Sequence, residues 1–418
     1  MTMNAIRIGS PVHGPEGTSR GRSDARVALA RLWALVLLAG ALVLGGCTAT
    51  NPVTGEQELG LVSQQSEISV GRDQYAPTRQ SQGGDYTLDP RLVAYVRSVG
   101  NKLAEKADRR LPYEFVVVND SSPNAWALPG GKIAINRGLL TELSSEAELA
   151  AVLSHEIVHA AARHGAQNME RDVMIGGALT VASALLGGSQ YRDLAMQGAQ
   201  LGASVVNQKY SRDDEREADY YGMKYMARAG YDPAAAVDLQ QTFVRLNRER
   251  RDNWLGGLFA SHPPSQERVD NNRRALAAMG PVPTYRGEKT YAKRLAYLRR
   301  VEPAYEAYDK GVKAMAKGDL ATAKKMAARA IRLEPRESRF YGLRGEAQAR
   351  GGDLAAARAS YDEAIRRDSG YYRHYVVRGL IREKQGDVAG ARSDLQRSMQ
   401  LLPTSAAQKG LVRLQRRR

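Results

Sequence analysis

His155-Glu156-Ile157-Val158-His159 places two imidazoles four residues apart, with a carboxylate beside the first. On a helix, residues so spaced share one face, so both rings can reach a single cation. Neutral imidazole ligates zinc well, and a catalytic zinc takes three protein ligands while keeping a fourth position open for water. Zinc brings that water's pKa toward ~7, and Glu156 is placed to take its proton, acting as general base and then as acid. The chemistry this supports is hydrolysis of a peptide carbonyl that the metal also polarises. The bland alternative is a surface helix with two unrelated histidines. With six histidines in the chain, a chance match is expected on the order of once in a hundred such sequences or less.

A third ligand is required. Ser211 to Asp219 opens a predicted helix on which Glu215 and Asp219 are again four apart, so one can ligate while the other supports a ligating histidine from behind. On spacing alone Asp213, Asp214 and Glu217 remain rivals, because acidic residues near a helix N-terminus commonly serve the helix dipole. His262 reads first as a loop histidine before a Pro-Pro pair. His164 lies past the motif's face near a helix end, where a C-terminal charge is the expected role. His13 belongs to the leader and His374 to the C-terminal block.

Several elements must position these residues. Helical periodicity covers about 61–78 and Pro90 to Ala107, where Leu92, Val93, Val96, Val99 and Leu103 share a face. Glu114–Asn119 and Gly131–Asn136 are β-like, and with Ala125–Leu128 they predict a small sheet punctuated by Pro129-Gly130-Gly131. The motif helix is expected from Ser145 to His164, with Ser145 and Glu148 as a capping box and Gly165 as terminator. A further helix is expected from Arg212 to Ala229, ended by Gly230 and Pro233. The apolar, Gly-rich stretch Met174 to Gly188 reads as a buried helix hairpin ahead of a membrane dip or a flap.

Beyond Pro303 the chain repeats. Gly318-Asp319-Leu320, Gly352-Asp353-Leu354 and Gly386-Asp387-Val388 recur every 34 residues, and Gly311, Gly345, Gly379 and Ala323, Ala357, Ala391 keep the same register. That period, with small residues where two helices cross, is the tetratricopeptide signature, and such repeats stack into a curved partner-binding surface. The block is basic: Pro303 to Arg418 holds 25 Lys or Arg against 13 Asp or Glu, most of the chain's net +16, so 47–302 is close to neutral. An anionic partner such as lipid headgroups, lipopolysaccharide or acidic protein segments suits it, as does a merely solvated helical surface. Nucleic-acid motifs are absent.

At the other end, Arg20, Arg22, Arg26 and Arg31 precede an apolar run, Leu32 to Leu44, that meets small residues and the single cysteine, Cys47. A basic region, a short apolar core and a small-residue end make a secretory signal, and the run is too short for a span of ~20 residues. Leu44-Gly45-Gly46-Cys47 resembles a bacterial lipobox, in which Cys47 is acylated. Thr48 after it favours the outer membrane by the same resemblance. No thiol is then left for a disulfide. The expected organisation is a signal peptide over 1–46, a polar tether over 47–60, a metallopeptidase domain over 61–302 and a repeat domain over 303–418.

His-Glu-x-x-His followed at Glu215 by Glu-x-x-x-Asp resembles the HtpX and CAAX-prenyl-protease family of gluzincin metallopeptidases. Asn124 to Gly131, and Ser261-His262-Pro263 with Arg268, look like further blocks of that family, over roughly residues 50–275. The resemblance implies one zinc held by His155, His159 and Glu215, with Asp219 supporting from behind. It also implies that His262 approaches the zinc, gating the open position or stabilising an oxyanion. The strand Gly131, Lys132, Ile133, Ala134, Ile135, Asn136 would be the edge on which an extended substrate pairs. With its C-terminal repeats the chain is similar to the BepA-type architecture, and it departs from that type's expected soluble form by carrying a lipobox.

The expected fold is mainly α: a zincin-like α+β metallopeptidase domain with a small sheet, then an α-helical solenoid. The expected function is zinc-dependent cleavage of misfolded or unassembled envelope and outer-membrane proteins. The repeats would deliver substrates or dock on assembly machinery, from a lipid-anchored position on the periplasmic face of the outer membrane. The rival is a repeat-based chaperone or scaffold whose metal site is gated or latent.

Overall fold

The computed structural model describes residues 48–174, 210–249 and 261–416. The leader with Cys47, and the Met174 to Gly188 stretch past its first residue, lie outside them. No helix among the described residues is long and apolar enough to cross a membrane. Where the sequence suggests only a tether, Thr48–Thr50 (β1) and Gln57–Leu59 (β2) pair antiparallel. A ladder is built from backbone groups, so polar composition hides it.

Helix α1 (Gln64–Ser81) starts at Ser63, whose hydroxyl accepts from Ser66 N. Helix α2 (Pro90–Ala104) starts at Asp89, whose carboxylate accepts from Arg91 N and Leu92 N, and Pro90 takes the first turn, where its missing N–H does no harm. It buries Leu92, Val96, Val99 and Leu103 against the sheet and the motif helix.

The sheet contains Glu114–Val118 (β3), Ala125–Leu128 (β4) and Lys132–Asn136 (β5) in the order β3-β5-β4. This corrects the expectation that Gly131 to Asn136 forms a free edge. The strand of Lys132, Ile133, Ala134, Ile135 and Asn136 is central, parallel to β3 on one side and antiparallel to β4 on the other. Both its ladders are used and all five residues are buried, so no substrate can add to it. Gly131 lies outside the strand, in the β4–β5 turn, where Gly130 and Gly131 take φ of 76° and 84°, a region other residues enter only with strain. Ile133 and Ile135 face the main core with Phe115 and Val117, while Ala134 faces Tyr75 and Trp126 on the opposite side.

After α3 (Arg137–Glu142), α4 (Glu146–Ala161) carries the histidine motif through the middle of the core. Ser145 caps it by accepting from Glu148 N, but the Glu148 carboxylate answers to Ser144 N at 2.7 Å, so the box is shifted by one residue. The helix stops at Ala161 and the chain turns at Arg163, φ 65°, rather than at Gly165. A left-handed non-glycine residue costs ~1–2 kcal/mol. The buried Arg163 guanidinium offsets this through Glu67 at 3.0 Å, Glu170 at 3.1 Å and the Val62 carbonyl at 2.7 Å.

Helices α5 (Arg212–Arg228), α6 (Ala234–Glu249) and α7 (Gln266–Ala278) complete the layer around α4. Helix α8 (Glu288–Ala316) then runs unbroken through Pro303, where the sequence reading divides two domains. Its first half buries Tyr291, Leu295 and Leu298 in the main core, and its second half forms the first repeat with α9 (Leu320–Leu333). The pairs α10 (Ser338–Arg350) with α11 (Leu354–Arg367), and α12 (Tyr372–Lys384) with α13 (Val388–Leu401), follow, closed by α14 (Ser405–Gln415).

The recurring Gly-Asp has a plain cause. Gly318, Gly352 and Gly386 end one helix in left-handed conformation, and Asp319, Asp353 and Asp387 cap the next through their carboxylates. The repeats join the body through buried polar groups. Glu337 accepts from Asn119 at 3.0 Å and Tyr305 at 2.7 Å, and the Arg137 guanidinium lies 3.4 Å over the Tyr305 ring.

Candidate metal centre

Helices α4 and α5 cross closely enough to share one site because α5 offers a glycine there: a Cβ on Gly222 would stand 3.3 Å from His155 N and from Ser154 Oγ. The start of α4 is pinned by Glu146, which accepts from Tyr95 at 2.8 Å and Tyr231 at 2.9 Å. One face of α4 then turns His155 and His159 toward α5, and Glu215 meets them from its first turn.

The donor atoms of His155, His159, Glu215 and His262 all lie within 4.8 Å of one another. His155 Nε2 is 3.0 Å from His159 Nε2 and 3.2 Å from His262 Nδ1. Glu215 Oε1 is 2.7 Å from His262 Nδ1 and 3.5 Å from His159 Nε2, and its Oε2 is 3.5 Å from His155 Nε2. A tetrahedral ion with bonds of ~2.0–2.1 Å needs donor–donor edges of about 3.3 Å, so this set fits such an ion.

Of the acidic candidates at the start of α5, Glu215 is the one that reaches the cluster. Asp214 caps α5 by accepting from Ser211 N at 2.8 Å, Asp213 is exposed and pairs with Arg216, and Glu217 faces His164 at 3.5 Å. Asp219 stands behind His155, with Oδ1 3.0 Å from His155 Nδ1. Arg268 grips Asp219 with two bonds of 2.7 Å and reaches Glu215 Oε2 at 2.7 Å, so one guanidinium holds both carboxylates.

Burial alone would lower the His155 pKa, but Asp219 and Glu215 carry it up to about 10. Burial lowers His159, which has no carboxylate behind it. Glu215 is held well below the usual carboxylate range: burial opposes this, and His262 and Arg268 outweigh it. Burial pushes Glu156 up despite His262 and His155 nearby. One Glu156 oxygen is 3.6 Å from His262 Nε2, and the other is buried without a hydrogen-bond partner. Val152, Ala236, Leu239 and Phe243 line a cavity of about 40 Å³ beside Glu156, room for a few waters.

Sequence reasoning missed two neighbours of the cluster and the grip of Arg268. His164 is buried, not a terminal charge on the surface, and its Nδ1 is 2.8 Å from His159 Nδ1. The reversal at Arg163, which brings it back under α4, has no glycine to announce it. Tyr210 stacks on the His159 ring at 3.8 Å between centroids, and its place just before the Ser211 cap was the available signal.

The model of peptidase family M48 matches residues 90–275, and a tetratricopeptide-repeat model matches residues 308–372 and 355–406. The mitochondrial metalloendopeptidase OMA1 of Schizosaccharomyces pombe is 32% identical over 242 residues, covering 55% of this chain and 68% of that protein. The chain belongs to peptidase family M48. The M48 domain is thus a metallopeptidase domain, and its family implies a metal. Beta-barrel assembly-enhancing proteases are also similar: that of Yersinia pestis at 30% identity over 202 residues (47% of this chain, 41% of that one), and that of Escherichia coli K12 at 29% over 239 residues (54% and 48%). The chain spans less than half the length of these bacterial relatives. The M48 body with its tetratricopeptide repeats has the BepA-like architecture that the sequence suggested.

Proposed function

We propose that the chain is a zinc-dependent endopeptidase of the bacterial cell envelope. The observation that carries this reading is the convergence of four buried donors, His155, His159, Glu215 and His262, beside a Glu156 oxygen that has no partner. His155, His159 and Glu215 hold the metal, and Asp219 orients His155. Zinc held there supplies Lewis acidity, polarising a peptide carbonyl and bringing the pKa of water to about 7. Glu156 takes the water's proton and returns it to the leaving amine, a role suited by a carboxyl that burial pushes up. The edge for an extended substrate passes from β5 to β4, the outer strand of the sheet, which is paired on one side only and whose Ala127 and Leu128 lie beside His159 and Tyr210.

The relatives' names speak of β-barrel assembly, and misfolded or unassembled envelope and outer-membrane proteins are the proposed substrates. The division at 46/47, 60/61 and 302/303, and acylation at Cys47 with anchoring at the periplasmic face of the outer membrane, belong to the same proposal. A cavity of about 310 Å³ on the repeats sets Arg339, Arg350 and Arg373 against one carboxylate, Glu346, and its net positive lining suits an acidic segment of an assembly partner. Glu156→Gln should keep its zinc and lose cleavage of a casein-like unfolded protein. Cleavage retained in that variant would refute the assignment of the base.

One observation favours a second reading, a chaperone or scaffold with a latent site. His262 Nδ1 lies among the donors, 3.2 Å from His155 Nε2 and 2.7 Å from Glu215 Oε1, where a fourth ligand would bind. A catalytic zinc keeps that position open. Within the endopeptidase reading, His262 is a gate.

A further inference from the structure

His159 Nε2 faces the cluster, 3.0 Å from His155 Nε2, so a metal there takes its lone pair and leaves the ring proton on Nδ1. That proton needs an acceptor, and the atom in reach is His164 Nδ1 at 2.8 Å. Two N–H groups cannot point at each other, so His164 must accept at Nδ1 and carry its own proton on Nε2. Its Nε2, fully buried, has Glu217 Oε1 at 3.5 Å and Asp214 Oδ1 at 3.9 Å, longer than ordinary hydrogen bonds, and no nearer acceptor among the described residues. Glu217 Oε1 is held from the other side by Asn51 Nδ2 at 3.2 Å. The Asn51 amide is fixed in that sense because its Oδ1 accepts from Val53 N at 2.9 Å and Thr54 N at 3.3 Å, and the residue is wholly buried.

We propose that His164, Glu217 and Asn51 are positioning residues that fix the ring orientation and tautomer of His159. The inference rests on the metal-centre reading above. It makes the left-handed Arg163 functional, since that reversal is what swings His164 back beneath α4. It also makes the two metal-facing histidines unequal: a carboxylate, Asp219, backs His155, while the imidazole of His164 backs His159. Asn51 is four residues after Cys47, so the stretch that follows the proposed anchor contributes to the metal centre.

The test uses the full chain, zinc-loaded and labelled at its six histidines, for nitrogen-15 spectra that report which ring nitrogen bears the proton. Zinc affinity is read in parallel by chelator competition. The expected spectrum has His159 protonated at Nδ1 and His164 at Nε2. His164→Leu should weaken zinc binding about 10–100-fold. His164→Asn, which can place an amide oxygen where Nδ1 lies, should recover most of that loss. Asn51→Ala should shift the His164 Nε2 signal and weaken zinc to a smaller extent. A folded His164→Leu within twofold of wild type in zinc affinity, or wild-type His164 protonated at Nδ1, would overturn the inference while leaving the metal centre intact. A wild-type chain that takes up no zinc would instead sink the metal-centre reading and this inference with it.

Discussion

His262 is the residue whose placement says most about control of the site. Its Nδ1 is 2.7 Å from Glu215 Oε1 and its Nε2 faces Glu156 at 3.6 Å, so one ring occupies both the fourth donor position and the neighbourhood of the base. In the proposed role of a gate it would compete with the water that hydrolysis needs. His262→Ala should therefore raise turnover of an unfolded protein at unchanged zinc content. An increase on the order of tenfold corresponds to removing a competing donor worth about 1.4 kcal/mol. Steady-state kinetics on a fluorescent unfolded substrate would show it, and a fall in kcat would instead assign His262 to oxyanion stabilisation. Glu215 and Asp219 show the limit of spacing arguments: five acids crowd the first turns of one helix, and only the clamp of Arg268, which comes from another helix, separates the pair at the site from Asp213, Asp214 and Glu217.

The crossing of α4 and α5 depends on Gly222, which leaves no room for a branched side chain against His155 N at 3.3 Å. Gly222→Val should push the helices apart, at a stability loss of about 1–3 kcal/mol, and carry Glu215 away from the histidines. Denaturant unfolding and zinc titration would detect both, and unchanged zinc affinity would show that the crossing does not set the site. Elements with a strong local signal were legible in the sequence: the motif helix with its cap Ser145, the helix opening at Ser211, and the 34-residue register of Gly-Asp pairs. Features set by tertiary partners were not. The place of β5 depends on which strand takes its second side, and β3, earlier in the chain, takes it in parallel. Nothing in Lys132 to Asn136 alone distinguishes a covered edge from a free one. The end of α4 was misplaced because Arg163 takes a glycine's conformation under the hold of Glu67 and Glu170, residues distant in sequence or past the turn.

Across the whole molecule, α8 ties the M48 body to the repeats, so the two lie on one continuous helix rather than on a linker. The repeats carry a built-in response to acid. His374 is buried against Ser338 Oγ at 3.1 Å, and burial, reinforced by Arg339, Arg373 and Arg378, lowers its pKa to about 3. An unfolded imidazole takes its proton near pH 6.5, so below that pH the unfolded state binds a proton the folded state refuses, and stability falls until about pH 3. Between pH 7.5 and 4.5 the wild type should lose about 2–3 kcal/mol relative to His374→Gln. Urea midpoints of both proteins at the two pH values measure this, and parallel shifts would contradict it.

The central claim is that His155, His159 and Glu215 hold one zinc. Its most direct test is the zinc content of the purified full chain beside His159→Ala and Glu156→Gln. One zinc per chain in wild type and Glu156→Gln, with loss in His159→Ala, is the predicted result. Carefully prepared wild-type protein that holds no zinc, or a His159→Ala that holds as much, would contradict it.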